Sequence, residues 1–192
     1  MMGLQTTPPT RAAREVDALC SRLEDGLDCR DARLRCLLEN WMSLRGGQLI
    51  PDRSALDCAG ISTLLPYVWI SRLEPVTGRF AFRLAGDEIR WLLGKPVAGA
   101  YVEDLLPNIA GAINIALNAA LNQPALCYFR GLLPHADLFS IETETLALPL
   151  SDGDRATTIL AATVFNWPST RATHQAAFAQ QQGPRLISVS AL

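Results

Sequence analysis

The chain has 192 residues, of which 49% are hydrophobic and 19% are charged, and its formal net charge is −2. This length and composition are typical of one globular domain, with a core large enough to fold without disulfides or metal. Acidic and basic residues are interspersed, and the charge is close to neutral. Both properties argue against a partner attracted by charge, such as nucleic acid or an anionic membrane.

The sequence shows no targeting or membrane-spanning pattern. The first residues, MMGLQTTPPT, include no apolar run of the kind found in signal peptides. Residues 105–129 carry no charged side chain, but prolines and several Asn and Gln residues interrupt them too often for a membrane span. We therefore expect a cytoplasmic protein that does not enter a membrane.

The cysteines do not form a metal-site pattern. None is part of a CxxC pair, and neither of the two histidines lies at the spacing that a compact zinc site needs. We therefore predict no metal site. We expect reduced, buried thiols at Cys20, Cys29, Cys36, Cys58 and Cys127.

Two helices are predicted near the start of the chain. The first covers residues 11–25. The second runs from about Asp28 to Arg45, and Gly46 and Gly47 after it can supply the positive φ that ends a helix at low cost. The apolar face of this second helix is formed by Leu34, Leu37, Leu38, Trp41 and Leu44.

The rest of the chain alternates strands with helices. We predict a short helix over 57–65, short broken helices within 86–106, and a longer helix over 109–122 that Asn108 caps. The predicted strands cover residues 67–74, 79–85, 126–133, 138–148 and 156–166. This order indicates an α+β protein with one antiparallel sheet and helices on one face.

The first and last predicted strands, YVWI and TTILAATVF, are apolar on both faces. Strands of this kind are covered on both sides. The helix that ends at Arg45 has an apolar face that needs a partner. We therefore expect the Gly46-Gly47 turn to let this helix lie on the second face of the sheet.

Four motifs in order carry a resemblance. They are W-x-x-L-R-G-G-x-L-x-P-D-R-x-x-x-D from Trp41, L-L-P-x-V from Leu64, F-x-x-R-L-x-G-x-x-I from Phe80 and L-L-G-K-P-V-x-G from Leu92. Together they resemble a bacterial family of small PAS-like proteins over roughly residues 30–168.

The resemblance implies a PAS-like fold, with a five-stranded antiparallel sheet in the order 2-1-5-4-3 and an N-terminal helical extension. It divides the chain into a tail and helix over 1–27, a PAS-like domain over 28–168 and an extension over 169–192. PAS domains commonly sense small ligands or mediate protein contacts, and often dimerise through an N-terminal helix. The resemblance therefore implies a homodimer with a protein partner in signalling.

Two cofactors known in PAS domains are disfavoured. Flavin-photosensing members carry a cysteine in an N-C-R-F-L-Q helix, which has no match here, so Cys127 is not placed to react with flavin. Haem-binding members use a histidine on the long helix, and residues 109–122 contain none. We therefore predict no cofactor.

Strand and helix alternation gives a set of candidate ligand-binding residues. A shift of one residue would invert the assignment along a strand, and a packed core without a cavity is an open alternative. The candidates are Phe82, Leu84, Trp91, Ile113, Tyr128, Thr145, Thr163 and Phe165.

A second group is interpreted as structural. We expect Asp52, Arg53 and the nearby Asp57 to form a buried or half-buried polar latch that fixes where the helix enters the sheet, with direct ligand contact as the alternative. The complete motif is Trp41, Arg45, Gly46, Gly47, Pro51, Asp52, Arg53 and Asp57.

Asn114, Asn118 and Asn122 recur along one face of the longer helix. An exposed hydrophilic stripe is one explanation. A contact surface whose amides bind a partner without desolvating a charge is the other.

Three functions follow in order of preference. The first is a non-enzymatic sensory or regulatory module that binds a small, mostly apolar ligand and signals through protein contacts. The second is an interaction or dimerisation module with a filled core. The third is an enzyme that uses the cavity, and it has the least support because no convergent acid–base or nucleophile set is visible.

Overall fold

One antiparallel sheet with helices on both faces organises the chain in a computed structural model, which describes residues 29–135, 139–165 and 182–189. In these ranges the strands are β1 Val68–Leu73, β2 Phe80–Ala85, β3 Ala125–His135, β4 Phe139–Asp152, β5 Arg155–Phe165 and β6 Gln182–Ser188. The α-helices are α1 Ala32–Arg45, α2 Asp87–Leu93, α3 Val102–Leu105 and α4 Ala110–Asn122, and 3-10 helices cover Arg53–Ala55 and Ala59–Tyr67.

The strands lie in the order β2-β1-β5-β4-β3-β6. β1 pairs with β5 from Val68 opposite Ala162 to Arg72 opposite Thr158, and β5 then pairs along its length with β4. The two strands whose sequences are apolar on both faces therefore lie inside the sheet. The predicted fold class and the order 2-1-5-4-3 are confirmed.

α1 covers one face of the sheet and forms a closed core with it. Asp31 caps the helix by accepting a hydrogen bond from the Arg33 N–H. The buried side chains of α1 pack against β3, β4 and β5, and Trp41 lies at the centre of this contact. Gly46 ends the helix with φ 57°, whereas Gly47 does not adopt a positive φ. As expected, α1 lies on the second face of the sheet. Of the two glycines, Gly46 alone supplies the positive φ that ends the helix.

The other face of the sheet is covered by α2, α3 and α4. Their apolar side chains pack on Trp69 of β1, Phe80 and Phe82 of β2 and the inner residues of β5. α4 begins after Ile109 and has no side-chain cap, so the expected cap by Asn108 is wrong. This second core also encloses a cavity.

β6 adds an edge strand that the sequence did not predict. It pairs antiparallel with β3, from Ala125 opposite Ser188 to Arg130 opposite Gln182. Residues 182–188 of the predicted C-terminal extension thus continue the same sheet. The division at residues 27 and 168 stays a prediction, and the predicted helix over 11–25 lies outside the described residues.

Within the described ranges, no helix is both long and apolar enough to cross a membrane. α4 is the longest of the three helices on the cavity side of the sheet, and it spans 13 residues. A membrane-crossing helix needs about 20 apolar residues.

Candidate ligand-binding cavity

A cavity of about 380 Å³ lies between the sheet and the helices α2, α3 and α4. This volume lies within the range typical of small-molecule sites, about 300–1,000 Å³. Trp69 and Phe82 form one wall, with their ring centroids 5.4 Å apart. α2 and α4 supply aliphatic side chains opposite, among them Leu92, Ile113 and Leu117. The cavity is therefore predominantly apolar.

Arg130 is among the residues that border the cavity, but its charged side chain lies on the opposite face of the sheet. Successive residues of a strand face opposite sides of the sheet. Cys127 and Phe129 of β3 face the cavity. Alternation then places the Arg130 side chain on the α1 face, where it forms an ion pair with Glu142. Among the described lining residues, no charged side chain enters the cavity.

Besides the Trp69 indole, the described lining residues include three small polar side chains, and each has a defined environment. The Thr143 hydroxyl donates to the Gly131 carbonyl at 3.1 Å. Thr163 accepts a hydrogen bond from Trp69 Nε1 at 3.0 Å and shares a second, of 2.8 Å, with Thr145. The third is the buried thiol of Cys127.

Burial raises the pKa of the Cys127 thiol to about 12. The thiol is therefore protonated at neutral pH and is a poor nucleophile, because the thiolate is the reactive form. Cys29 is buried as well, whereas Cys36 is half-buried and Cys58 is exposed. The expectation that all the cysteines are buried is thus corrected for these last two, and Cys20 lies outside the described residues.

Three of the predicted ligand-binding residues line the cavity, namely Phe82, Ile113 and Thr163. Two more lie directly beside it. Thr145 is fully buried behind Thr163. Phe165 packs edge-on against Tyr67, with ring centroids 5.8 Å apart, in a small cluster with Leu92 that adjoins the cavity.

The other three do not approach the cavity. Tyr128 faces α1, because the alternation of β3 runs opposite to the one expected. Leu84 is exposed, since an irregular register between β1 and β2 places an additional residue of β2 at Arg83. Trp91 lies on the outer face of α2 and is 73% exposed.

Most of the cavity wall was not predicted from the sequence. Trp69 was assigned only to a strand with two apolar faces, and the aliphatic residues of α2 were assigned only to broken helices. A hydrophobic pattern over 86–93, with Ile89, Leu92 and Leu93 on one side of a helix, was the available signal. Without the tertiary structure, that pattern does not distinguish a packed side chain from one that borders a cavity.

The predicted polar latch is a surface contact to the β4–β5 turn. The Ser151 N–H donates to the Pro51 carbonyl at 3.0 Å, and the Gly153 N–H donates to Asp52 at 3.2 Å. Arg53 is exposed and lies 3.8 Å from Asp152.

Hydrogen bonds to its carboxylate hold the pKa of Asp52 below its usual range. The Ser54 hydroxyl contributes most, followed by the N–H groups of Ser54 and Gly153. Asp57 takes no part, because it accepts from the Ala59 N–H at 2.9 Å at the start of the next 3-10 helix. The latch therefore anchors the segment after α1 to the hairpin end, and it is not buried.

Two of the three asparagines on α4 are used inside the domain. Asn114 donates to Glu103 of α3 at 2.6 Å, and Asn118 donates to the Asn114 carbonyl at 2.8 Å. Asn122 is exposed. These contacts argue against a continuous amide surface for a partner, because two of the amides already have acceptors.

The geometry thus defines a domain with one antiparallel sheet and with helices over an apolar internal cavity. The profile of the PAS domain family matches residues 30–163. The chain belongs to the PAS domain family, and the predicted resemblance is confirmed at this level.

Similarity to individual proteins is distant. No curated protein shows significant similarity to the chain. The chain is similar to a solved structure described as an RNA-binding Light-Oxygen-Voltage receptor, with 17% identity and a TM-score of 0.40, over 55% of this chain and 32% of that one. A likeness this distant, to less than a third of the other protein's length, carries no argument about ligand or partner.

Proposed function

We propose that the chain is a non-enzymatic PAS sensory module that binds a small, mostly apolar ligand in the cavity between the sheet and α4. The cavity itself carries the proposal. Its walls are apolar, and among the described residues no charged side chain enters it. Such a site favours an uncharged molecule, because burying an unpaired charge costs far more than apolar contacts return.

The chemistry of the wall supports binding over catalysis. The Thr143 and Thr163 hydroxyls take part in hydrogen bonds within the sheet, and the Cys127 thiol stays protonated. Neither haem nor flavin is proposed as the occupant. The described lining residues include no His, Met or Tyr that could serve as an axial ligand, and the Cys127 thiol, the remaining ligand type among them, is protonated.

Signalling through protein contacts is the second part of the proposal. The apolar face of α1 is already used by the sheet. Trp91 and Leu84 are exposed on α2 and β2, at 73% and 46%. Tryptophan is among the side chains that most often anchor a protein interface. We propose that the exposed surface of α2 around Trp91 contacts a partner and that the chain forms a homodimer, for which light scattering of the full chain is the direct test.

Native mass spectrometry of freshly purified protein tests the ligand-binding proposal. Ala116 is buried on α4 and lines the cavity. Ala116→Phe should therefore fill it, whereas Ala119→Phe, on the same helix and outside the cavity wall, is the matched control. We expect an adduct in the wild-type chain and in Ala119→Phe that is lost on denaturation and is missing from Ala116→Phe.

Two results would count against the proposal. An adduct of equal occupancy in the Ala116→Phe chain would place the ligand elsewhere. A bare mass, together with no binding of apolar compounds of the size of a substituted benzene, would favour the alternative of an interaction module with a filled core.

A further inference from the structure

The hydrogen bonds around Thr163 leave one donor without a partner. Three side-chain hydrogens meet there, namely the Trp69 indole N–H and the hydroxyl hydrogens of Thr145 and Thr163. Two hydrogen bonds connect the groups, Trp69 to Thr163 at 3.0 Å and Thr145 with Thr163 at 2.8 Å. Among the described residues, one hydroxyl hydrogen is therefore unused.

Burial decides which hydroxyl has the unused hydrogen. Thr145 is 0% exposed and has Thr163 as its hydrogen-bond partner, whereas Thr163 is 5% exposed and lines the cavity. A stranded hydrogen inside the sheet is unfavourable, since a buried polar group without a partner loses its solvation. The favourable arrangement has Thr145 donate to Thr163, which then directs its own hydrogen into the cavity.

In this arrangement the Thr163 hydroxyl oxygen accepts as many hydrogen bonds as it can, and its own hydrogen stays free to donate. A hydroxyl oxygen can accept two hydrogen bonds and donate one. The indole and Thr145 supply the two accepted bonds. The Thr143 hydroxyl is not a competing donor, because it already donates to the Gly131 carbonyl. Thr163 thus offers the cavity one strong side-chain donor.

We propose that Thr163 is the residue that selects the ligand and that the ligand is an uncharged, mostly apolar molecule with one acceptor oxygen, such as a ketone. This inference rests on the proposed ligand-binding function and narrows its ligand class. The apolar wall excludes a carboxylate. The single donor disfavours a pure hydrocarbon, which would leave the hydroxyl hydrogen without a partner.

The test compares propiophenone with propylbenzene, which has a methylene in place of the carbonyl. Calorimetric titration of the full chain gives the ratio of the two dissociation constants. We expect wild type to prefer propiophenone and to bind 3-phenylpropanoate most weakly. Thr163→Val should lower the propiophenone preference about fivefold to tenfold, the value of one hydrogen bond.

Two matched variants separate the donor from simple packing. Thr163→Ser keeps the hydroxyl and should retain the preference within about twofold, a factor well below the effect of one hydrogen bond. Thr145→Val removes the neighbouring hydroxyl but leaves the Thr163 hydrogen free, so it should retain the preference as well. An unchanged preference in Thr163→Val, or a loss equal in all three variants, would overturn the role of Thr163.

An infrared measurement on the wild-type chain tests the same hydrogen bond without a variant, so it applies even where Thr163→Val does not fold. The infrared stretching band of bound propiophenone labelled with ¹³C at the carbonyl should lie below its position in hexane, because a donated hydrogen bond weakens the C=O bond. A band at the hexane position, with binding intact, would refute the inference alone. Failure of both propiophenone and propylbenzene to bind would overturn the ligand class inferred here, and together with a bare mass in native mass spectrometry it would also refute the proposed ligand-binding function.

Discussion

Trp41 holds the first helix against the sheet through both its volume and its ring nitrogen. The side chain is 0% exposed, in the core between α1 and the sheet. Its Nε1 donates to the Pro149 carbonyl of β4 at 2.9 Å. A buried indole needs such an acceptor, because a buried N–H without a partner is costly. Trp41 is therefore part of the core of the single chain.

Substitution of Trp41 should be far more damaging than substitution of Trp91. Trp41→Ala removes a fully buried ring and leaves a carbonyl without its donor, so we expect a loss of about 3–5 kcal/mol in the free energy of unfolding. Trp91→Ala changes a side chain that is exposed in the single chain, so at concentrations where the chain is monomeric it should stay within about 0.5 kcal/mol. Urea unfolding measures both, and similar losses would contradict the assignment of the two tryptophans.

Cys127 should make stability fall in alkaline solution. Burial raises the pKa of its thiol to about 12 in the folded chain, whereas an unfolded cysteine ionises near pKa 8.5. Above that value the unfolded chain binds fewer protons than the folded chain, so the free energy of unfolding decreases with pH.

Between pH 8 and pH 10, wild type should lose roughly 2 kcal/mol more than Cys127→Ala. Urea unfolding at the two pH values gives this difference. Cys58→Ala, at an exposed cysteine, is the control and should behave as wild type does. An equal pH dependence in wild type and Cys127→Ala would show that the thiol is not shielded in the folded chain.

At the level of single residues, part of the cavity wall was predictable from the sequence. Phe82 and Thr163 each lie in a strand. The alternation of side chains along the strand, or the residues beside them, indicated the face that lines the cavity. Tyr128 was placed on the wrong face, because LCYF in β3 is apolar on both sides and carries no alternation that distinguishes them. Trp91 was misplaced because an aromatic side chain is usually buried, and this one is not.

Among the connecting elements, the turn at Gly86 has no space for a side chain. Its φ is −66°, which any residue can adopt. A Cβ at this position would lie 2.1 Å from the Leu65 carbonyl oxygen and 2.3 Å from that of Pro66. The turn between β2 and α2 therefore packs its backbone directly against the 3-10 helix Ala59–Tyr67.

Alanine substitution should have opposite effects at Gly86 and Gly111. Gly86→Ala forces backbone apart and should cost about 3 kcal/mol or more. Gly111 lies in the first turn of α4, where a Cβ would have no atom within 4 Å, so Gly111→Ala should stabilise the chain by about 0.5 kcal/mol. Thermal and urea unfolding of both variants provide the measurement. A stable Gly86→Ala chain would contradict the close packing of this turn.

At the level of helices and strands, the amino-acid composition of the segments predicted the central strands and the helix α1 that covers the sheet. It did not predict the last strand, β6. β1 and β5 are apolar on both faces. Only a position inside a sheet that is covered on both sides keeps both faces away from water. β6 has no such signature. Its pairing with β3 depends on where residues 182–188 return in space, and local sequence does not encode that position.

In the molecule as a whole, the sheet separates two cores with different properties. The core under α1 consists of large side chains around Trp41. The core under α4 uses small residues such as Ala116 and Ala120 beside aromatic ones, and it encloses the cavity. Central strands β1 and β5 border both cores. A ligand in the cavity would therefore contact strands that also pack against α1.

A methyl NMR titration of the full chain with propiophenone is the decisive test of a ligand site in this cavity. We expect saturable shifts in Ile89, Leu92 and Ile113, whose side chains line the cavity, and little change in Leu34 and Leu38, which lie in the core under α1. No saturable shift, or shifts centred on Leu34 and Leu38, would contradict a ligand site between the sheet and α4.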